Sequence, residues 1–381
     1  MGKRDAATRC LIYLTLVCIP ASAQERVRVD LRGWGYKSPQ SDASRFQTQL
    51  SYQIISVAPN GEVVVGFVTR DRTGLATREL PSLSLHVLRF AKDGKLLSQG
   101  SVPTQNWYAN AVFYGSNNTL LIRAGTKLYL FSVNMEQLAE KELPPTPDSG
   151  MIDWIIRPLP DRDAFLLYHY RRADTSIALL RWSDLKPTKE CAYNPYDELL
   201  SVSKRNLLSF RPGGAKDPLG RTAEVSEICG SSRFAYSWRG DATSAALLDD
   251  DSLILAGGRS SVSVVADGKV RWTDAFDRKS DVISSHVEVS ADSQMIAIAV
   301  EKFAGGSQFL DISQKLKGVR IAVYQAKNGK KISESVVNPS PTDGFDYALS
   351  PNGDVLAIVS DGFVEILSLN KQSTDLESRP R

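Results

Sequence analysis

"ALSPNGDVLAIVSDGFVEILSL", residues Ala348 to Leu369, alternates apolar and polar positions through three short runs separated by two tight turns. The turns are Pro351-Asn352-Gly353 and Asp361-Gly362. Asn, Asp and Gly tolerate positive φ, so such residues between runs of period two mark hairpins with a physical cause. The stretch reads as three strands, and the fold depends on whether it stands alone or repeats.

It repeats. "QIISVAPNGEVVVGFVTR", from Gln53, has the same plan around Pro59-Asn60-Gly61, and "HVEVSADSQMIAIAV", from His286, has it around Ala291-Asp292-Ser293. "AVFYGSNNTLLIRAG", "IIRPLPDRDAFLLYHY" and "AALLDDDSLILAGG" are looser copies. A third run and a second turn follow most of them, as in "HVLRFAKDGKLL", "SVSVVADGKVRW" and "RIAVYQAKNGKKI". Each unit is therefore strand, turn, strand, connection, strand, turn, strand. Phe90, Phe131, Trp182 and Tyr324 recur at the ends of third strands, a periodicity expected of packing between units and not of a ligand cage.

Spacing converts the repeat into an architecture. Equivalent first turns fall at Asn60, Asn117, Asp161, a weaker one near Lys204, Asp250, Asp292 and Asn352. Four-stranded propeller blades recur at roughly 40 to 45 residues. The expected fold is all-β, a seven-bladed β-propeller, with six blades as the alternative because the fourth unit is irregular. After Leu369 only a polar tail remains, so the last unit lacks its fourth strand. "ERVRVDL", Glu25 to Leu31, is a strand without a hairpin partner, and pairing it into the last blade would close the ring and remove two edges.

The "SPNG" and "DG" turns and the repeat plan resemble those of WD-repeat and related bacterial seven-bladed propellers over nearly all of residues 25 to 370. The glycine-histidine and tryptophan-aspartate signature of that family is absent, so the resemblance is one of fold. The whole resembles an exported bacterial protein. Propellers host hydrolases, quinone-cofactor dehydrogenases, lectins and scaffolds, so the resemblance alone implies no activity.

The first residues are read apart from the fold. Lys3, Arg4 and Arg9 precede the apolar run "CLIYLTLVCI" and the small-residue site Ala21-Ser22-Ala23, the layout of a secretory signal peptide. The run covers about ten residues, half of what a spanning helix needs. Val17 before Cys18 does not suit lipidation. The expected divisions are a signal peptide at 1–23, one propeller domain at 24–370 and a polar tail at 371–381, with the protein periplasmic or extracellular. Losing Lys3, Arg4, Arg9 and Asp5 takes the net charge from +3 to +1, which provides no electrostatic footprint for nucleic acid or anionic lipid. Cys191 and Cys229 remain, and in an oxidising compartment a disulfide closing the irregular fourth unit is expected, two unpaired buried thiols being the alternative.

No motif declares a chemistry. His86, His169 and His286 lie on or beside strands and lack metal-ligand spacing, so structural roles are expected. Asp249-Asp250-Asp251 lacks the spacing of a calcium loop and falls at a first turn. No metal or other cofactor is expected. The departures from the repeat say more: "RDRTGLATRELPSLS" in unit one and "EKFAGGSQFLDISQKLKG" in unit six lengthen the connection between second and third strands. They flank unit seven, which has only Asp361-Gly362 there, so a notch between raised loops is expected. Arg70, Arg72, Arg78, Lys302, Phe303 and Phe309 would surround it, and loops on a rigid scaffold are where binding concentrates. The expectation is a monomeric, non-catalytic binding or scaffold module for a protein, peptide or glycan. The alternative is a propeller enzyme such as a lactonase-like hydrolase, using groups such as Asp153, Asp346 and His286 at the central channel.

Cleavage after Ala23 is checked by the intact mass of the protein isolated from its host. The expected mass starts at Gln24, and a mass retaining residues 1–23 or carrying a lipid contradicts the reading.

Overall fold

The computed structural model describes residues 25–36, 46–49, 53–71, 83–105, 109–143, 154–159, 163–169, 176–192, 198–212, 220–239, 242, 244–257, 261–277, 279–303, 316–337 and 345–369. Every one of the repeat units forms one antiparallel sheet, and there are seven sheets, the irregular fourth unit included. The innermost strands, in order around the ring, are Ile55–Val57, Asn110–Tyr114, Trp154–Pro158, Glu198–Val202, Ser244–Leu247, Asp281–Val289 and Phe345–Leu349. Blade one adds Phe46–Gln49, which pairs with the far end of the same second strand. Among the described residues, helical structure is confined to short 3-10 turns, and no helix is long and apolar enough to cross a membrane.

Second strands are mostly apolar, with polar residues toward their ends, because both faces of each blade are covered by neighbouring blades. Met295–Val300 and Val355–Val359 are buried at every position, and Val63, Val64 and Val65 have no exposed surface. Aromatic groups join blades at the outside. Trp272 of blade five stacks on Tyr324 of blade six at 5.6 Å and donates its indole N–H to the Ala326 carbonyl. Trp182 of blade three packs so tightly on blade two that a methyl group at Gly115 would meet it at 2.7 Å.

The ring is closed by the amino-terminal strand. Arg26–Asp30 pairs antiparallel with Phe363–Ser368, in register from Arg26 opposite Leu367 to Asp30 opposite Phe363. Strand alternation sends Val27 and Val29 toward blade one, where a side chain at Gly94 would strike Val27 at 2.7 Å. Gly94 also has a φ of +84°, so this turn needs glycine for both conformation and space. On the other face, Arg26 ion-pairs with the buried Glu365, and Arg28 approaches the same carboxylate at 3.8 Å while lying over the Phe363 ring.

The first turns share an internal device. Ser350 Oγ accepts the N–H groups of Asp354 and Val355 and donates to Asp354 Oδ1 at 2.8 Å. Ser290 Oγ does the same work in blade six, accepting the Met295 N–H and donating to Asp292. Hydroxyls that bond nearby backbone in this way hold turns shut. Neighbouring turns are then bonded to each other: Asn206 to Asp251, the Asp249 N–H to Ser293 Oγ, the Asp292 N–H to the Pro351 carbonyl, and Asn352 to the Pro59 carbonyl. Blades four, five, six, seven and one are thus linked in sequence along one face of the ring.

Cys191 and Cys229 form a disulfide with Cα atoms 5.4 Å apart. The bond does not lie within the irregular fourth unit, where the sequence pattern placed it. Cys191 sits on the outermost strand of blade three, Pro187–Ala192, and Cys229 in the last turn of blade four, so the bond ties two blades together at the rim. For a separation of 38 residues, the loop-entropy model gives up to about 4 kcal/mol.

If closure depends on the amino-terminal strand, deleting Glu25–Leu31 exposes the edge of Phe363–Ser368 and leaves Glu365 without two cations. The expected outcome is a lower melting temperature and aggregation, read by light scattering during a thermal ramp. An unchanged, monomeric transition contradicts it.

Candidate functional site

Two regions converge on blades six, seven and one. The first is the face bearing the long connections. Arg70 is the penultimate residue of Val63–Asp71, and Lys302 and Phe303 end Met295–Phe303, so these residues mark where the connections of blades one and six leave the sheets. Lys302 is exposed and Phe303 half-buried, its N–H bonded to the Ser280 carbonyl at 2.9 Å. Arg72, Arg78 and Phe309 lie outside the described residues.

Between them the Asp361-Gly362 turn of blade seven is not bare, as the sequence pattern suggested. The crossover Leu31–Tyr36 lies over it. The Leu31 N–H donates to the Gly362 carbonyl at 2.7 Å, and a side chain at Gly362 would meet the Tyr36 ring at 2.7 Å. Leu31 and Tyr36 are buried, Tyr36 edge-on to Phe67. The crossover presents outward Arg32, Gly33 and the half-buried Trp34, with Arg32 above the Phe363 ring at 4.7 Å. These floor residues had no signal in the repeat pattern, because a link between blades has no counterpart within a blade.

The second region is the inner wall. The inner strands on both sides of blade seven break register. In blade six, Ile283 faces Val300 and Val287 faces Ile298, so two extra residues bulge around Ser284 to His286. In blade one, Gln49 faces Val68 and Ile55 faces Val65, and the intervening Gln53 has a positive φ of 60°. Bulges re-aim side chains and free backbone groups. Here the blade-one irregularity presents the Ile54 N–H to Asp346 Oδ2 at 2.8 Å, while the Tyr347 N–H bonds Oδ1. The blade-six bulge sets His286 Nε2 3.9 Å from Asp346 and 3.1 Å from Glu288. The Glu288 contact is close but out of line with the ring N–H, so Nε2 has no aligned acceptor. Tyr347 donates to the His286 carbonyl at 2.6 Å and accepts the Ala299 N–H, which fixes blade six against blade seven.

Burial pushes the Asp346 carboxyl up to about 6, against the opposing pull of His286 and the two backbone N–H donors. For His286, burial disfavours the cation, but Glu288 and Asp346 outweigh it and raise its pKa; Arg157 of blade three is near enough to oppose them. Of the three groups expected near inner-strand starts, Asp346 is the second residue of Phe345–Leu349, His286 falls in the second half of Asp281–Val289, and Asp153 lies outside the described residues. What brings Asp346 and His286 together is the bulge. Among the described residues, no group of three or more His, Cys, Asp or Glu side chains is arranged to hold a metal ion.

The remaining candidates have structural explanations. His86 stacks on Phe67 at 5.1 Å and bonds Thr69 Oγ1 at 2.8 Å, and burial lowers its pKa. His169 ends the second strand of blade three, and its side chain is outside the described set. In the acidic run, Lys204 pairs with Asp249, Arg271 with Asp250 and Arg233 with Asp251, so three cations answer three carboxylates.

No family model matches the chain, and no curated protein matches its sequence. By structure, 619 solved chains match. A chain of the mitotic checkpoint complex is 13% identical with a TM-score of 0.52, covering 95% of this chain and 99% of that one. The C-terminal WD40 domain of Sif2 is 12% identical with a TM-score of 0.47, covering 90% and 99%. Identities this low speak for architecture alone: the chain is a WD-repeat-like seven-bladed β-propeller.

The inner-wall geometry makes a direct prediction for His286. With three histidines in the chain, its ring protons can be followed by NMR as pH is varied. Its midpoint should lie above that of a model histidine and fall in Asp346→Asn, because the substitution removes an anion that stabilises the imidazolium. A midpoint unmoved by the substitution contradicts the pairing.

Proposed function

We propose that the protein is an exported, non-catalytic binding module that engages a protein, peptide or glycan over the junction of blades six, seven and one. The observation that carries this reading is the difference between the two faces of the ring. One face has its first turns bonded to each other from blade four round to blade one. The other sends out the connections 72–82 and 304–315 on either side of a floor formed by Leu31–Tyr36. A ring held by turn-to-turn bonds on one face and carrying long connections on the other is the arrangement in which scaffolds carry recognition.

Arg70, Arg72, Arg78, Lys302, Phe303 and Phe309 are the contacts proposed on the loops, and Arg32 and Trp34 are added on the floor. Arginine and aromatic side chains dominate interface hot spots because they combine large buried area with directional bonding. Export agrees with the Cys191–Cys229 bond, since disulfides persist in oxidising compartments. A near-neutral mature chain fits a partner recognised by shape and specific contacts more than by bulk charge.

A second reading rests on the Asp346–His286 pair. A buried acid near 6 beside an imidazole is the kind of perturbed pair found in catalytic sites, though structural networks perturb pKa values too. Stoichiometric metal in the purified protein, with a hydrolytic activity abolished by His286→Ala, would turn the assignment toward an enzyme.

The binding reading is tested by replacing 72–82 and 304–315, separately, with two-residue turns. Both variants should fold, because shortening a surface connection changes loop entropy little. Affinity for the partner that co-purifies from the native host should fall at least about tenfold, the equivalent of about 1.4 kcal/mol. Full affinity in both folded variants moves the site elsewhere.

A further inference from the structure

Asp346 touches three blades at once. Within blade seven its Oδ1 accepts the Tyr347 N–H at 3.0 Å, and its Oδ2 accepts the Ile54 N–H of blade one at 2.8 Å. From blade six, His286 Nε2 lies 3.9 Å away. The same nitrogen lies 3.1 Å from Glu288 Oε1, so one ring nitrogen is shared between two carboxylates. Exposure differs among the three. The Asp346 side chain is 2% exposed, whereas those of His286 and Glu288 are 25% and 28% exposed. The carboxylate at the seam is shut off from water, while the imidazole beside it is within reach of solvent protons.

A carboxylate so placed depends on nearby positive charge and on hydrogen bonds. A neutral imidazole offers Nε2 one proton for two carboxylates, or, in its other tautomer, turns a lone pair toward both. The imidazolium balances both by charge, even where the N–H is out of line. We infer that Glu288, His286 and Asp346 form a proton-operated latch on the seam between blades seven and one, closed while His286 is charged and loosened when it is neutral. Discharge leaves two anions around a neutral ring, and the one water cannot reach is the acceptor of the Ile54 N–H. That bond sits under the crossover, where Leu31 is bonded to Gly362 of blade seven and Tyr36 is edge-on to Phe67 of blade one. A looser seam therefore reaches the floor of the loop face, whatever that face binds.

Other charges also act here. Arg157 of blade three opposes the imidazolium, and Glu301, on the second strand of blade six, acts on Tyr347. The blade-one contact is a backbone amide, which does not titrate. Burial raises Asp346 from its ordinary 3.8 to about 6, and the two carboxylates, against burial, raise His286 above its ordinary 6.5. A group raised by folding stabilises the fold while protonated and loses that contribution as pH rises through its folded value. Below about 6, Asp346 is itself neutral and needs no counter-charge. The contribution of the pair thus falls as Asp346 ionises and again as His286 discharges.

Amide hydrogen exchange of the full chain tests the latch, expressed as protection so that the intrinsic rise of exchange with pH is divided out. Protection of the Ile54 amide should fall about tenfold as pH rises through the His286 midpoint followed by NMR, one pKa unit of coupling being a factor of ten. The Leu247 amide, held in the same manner by Ser201 Oγ away from the cluster, should keep its protection. Glu288→Gln removes one anion, so the His286 midpoint and the fall at Ile54 should move together to lower pH. Asp346→Asn, which stays neutral, should make Ile54 protection flat. Ile54 protection that is flat in the unaltered chain, or that falls together with that of Leu247, overturns the inference. So does a fall that persists in Asp346→Asn, or one that stays in place when Glu288→Gln moves the His286 midpoint.

Discussion

A ring of sheets has to be closed, and here closure rests on five residues. Arg26–Asp30 and Phe363–Ser368 are separated by nearly the whole described chain, yet their pairing makes blade seven a four-stranded sheet. Bringing such distant segments together carries a loop-closure cost that grows only slowly with length, so a short strand suffices if its contacts are good. They are specific on both faces. Val27 and Val29 seat against the glycine turn of blade one, and Glu365 is matched by two arginines. The buried carboxylate makes the closure selective: without Arg26 and Arg28 it would be left without either partner in a place that water scarcely reaches.

Closure also decides where the irregular features can lie. The crossover that leaves the closing strand runs over the blade-seven turn, so Leu31 and Tyr36 exist as buried residues only because Arg26–Asp30 is in place. The same sector holds two of the three inner strands that break register among the described residues, the third being Glu198–Val202 of blade four, and the Asp346 carboxylate that accepts the Ile54 N–H across the seam between blades seven and one. The two ends of the chain, the seam and the polar cluster therefore form one mechanical unit. Elsewhere, regular blades are held by packing, by turn-to-turn bonds and, at blades three and four, by a covalent tie.

Seven blades were legible because turn chemistry recurs. Asn60, Asn117, Asp250, Asp292 and Asn352 all fall in the first turns of their blades, since a positive φ returns each time the chain doubles back, at Asn117 itself and otherwise at the next residue, Gly61, Asp251, Ser293 or Gly353. Even the weak signal near Lys204 marked a turn, held by the Ser203 N–H to Asn206 carbonyl bond. The closing strand was legible for a related reason: an unpaired alternating strand at one end answered a missing strand at the other. The disulfide partners could be paired by elimination, but their placement across blades three and four depended on assigning Cys191 and Ala192 to the end of a strand, where no turn residue marks the boundary.

The inner wall was not legible, and spacing explains why. The interval from Asp250 to Asp292, 42 residues, is the shortest in the ring, yet it contains the two-residue bulge that swings His286 toward Asp346. Short strands and connections in blade five absorb the extra length, so counting residues between turns cannot detect it. The bulge follows instead from local composition. Ser284 and Ser285 interrupt the apolar alternation, and the Ser284 hydroxyl accepts the His286 N–H, replacing a ladder bond that the irregularity has broken. Serine in an inner strand thus offers the backbone a local partner where the sheet does not. A repeat reveals itself through positions where all copies obey one constraint, whereas a site is built where one copy departs from it. In this chain the two long connections and the two inner-strand irregularities beside blade seven fall in three consecutive blades, and that grouping, more than any single residue, is what the proposed binding sector rests on.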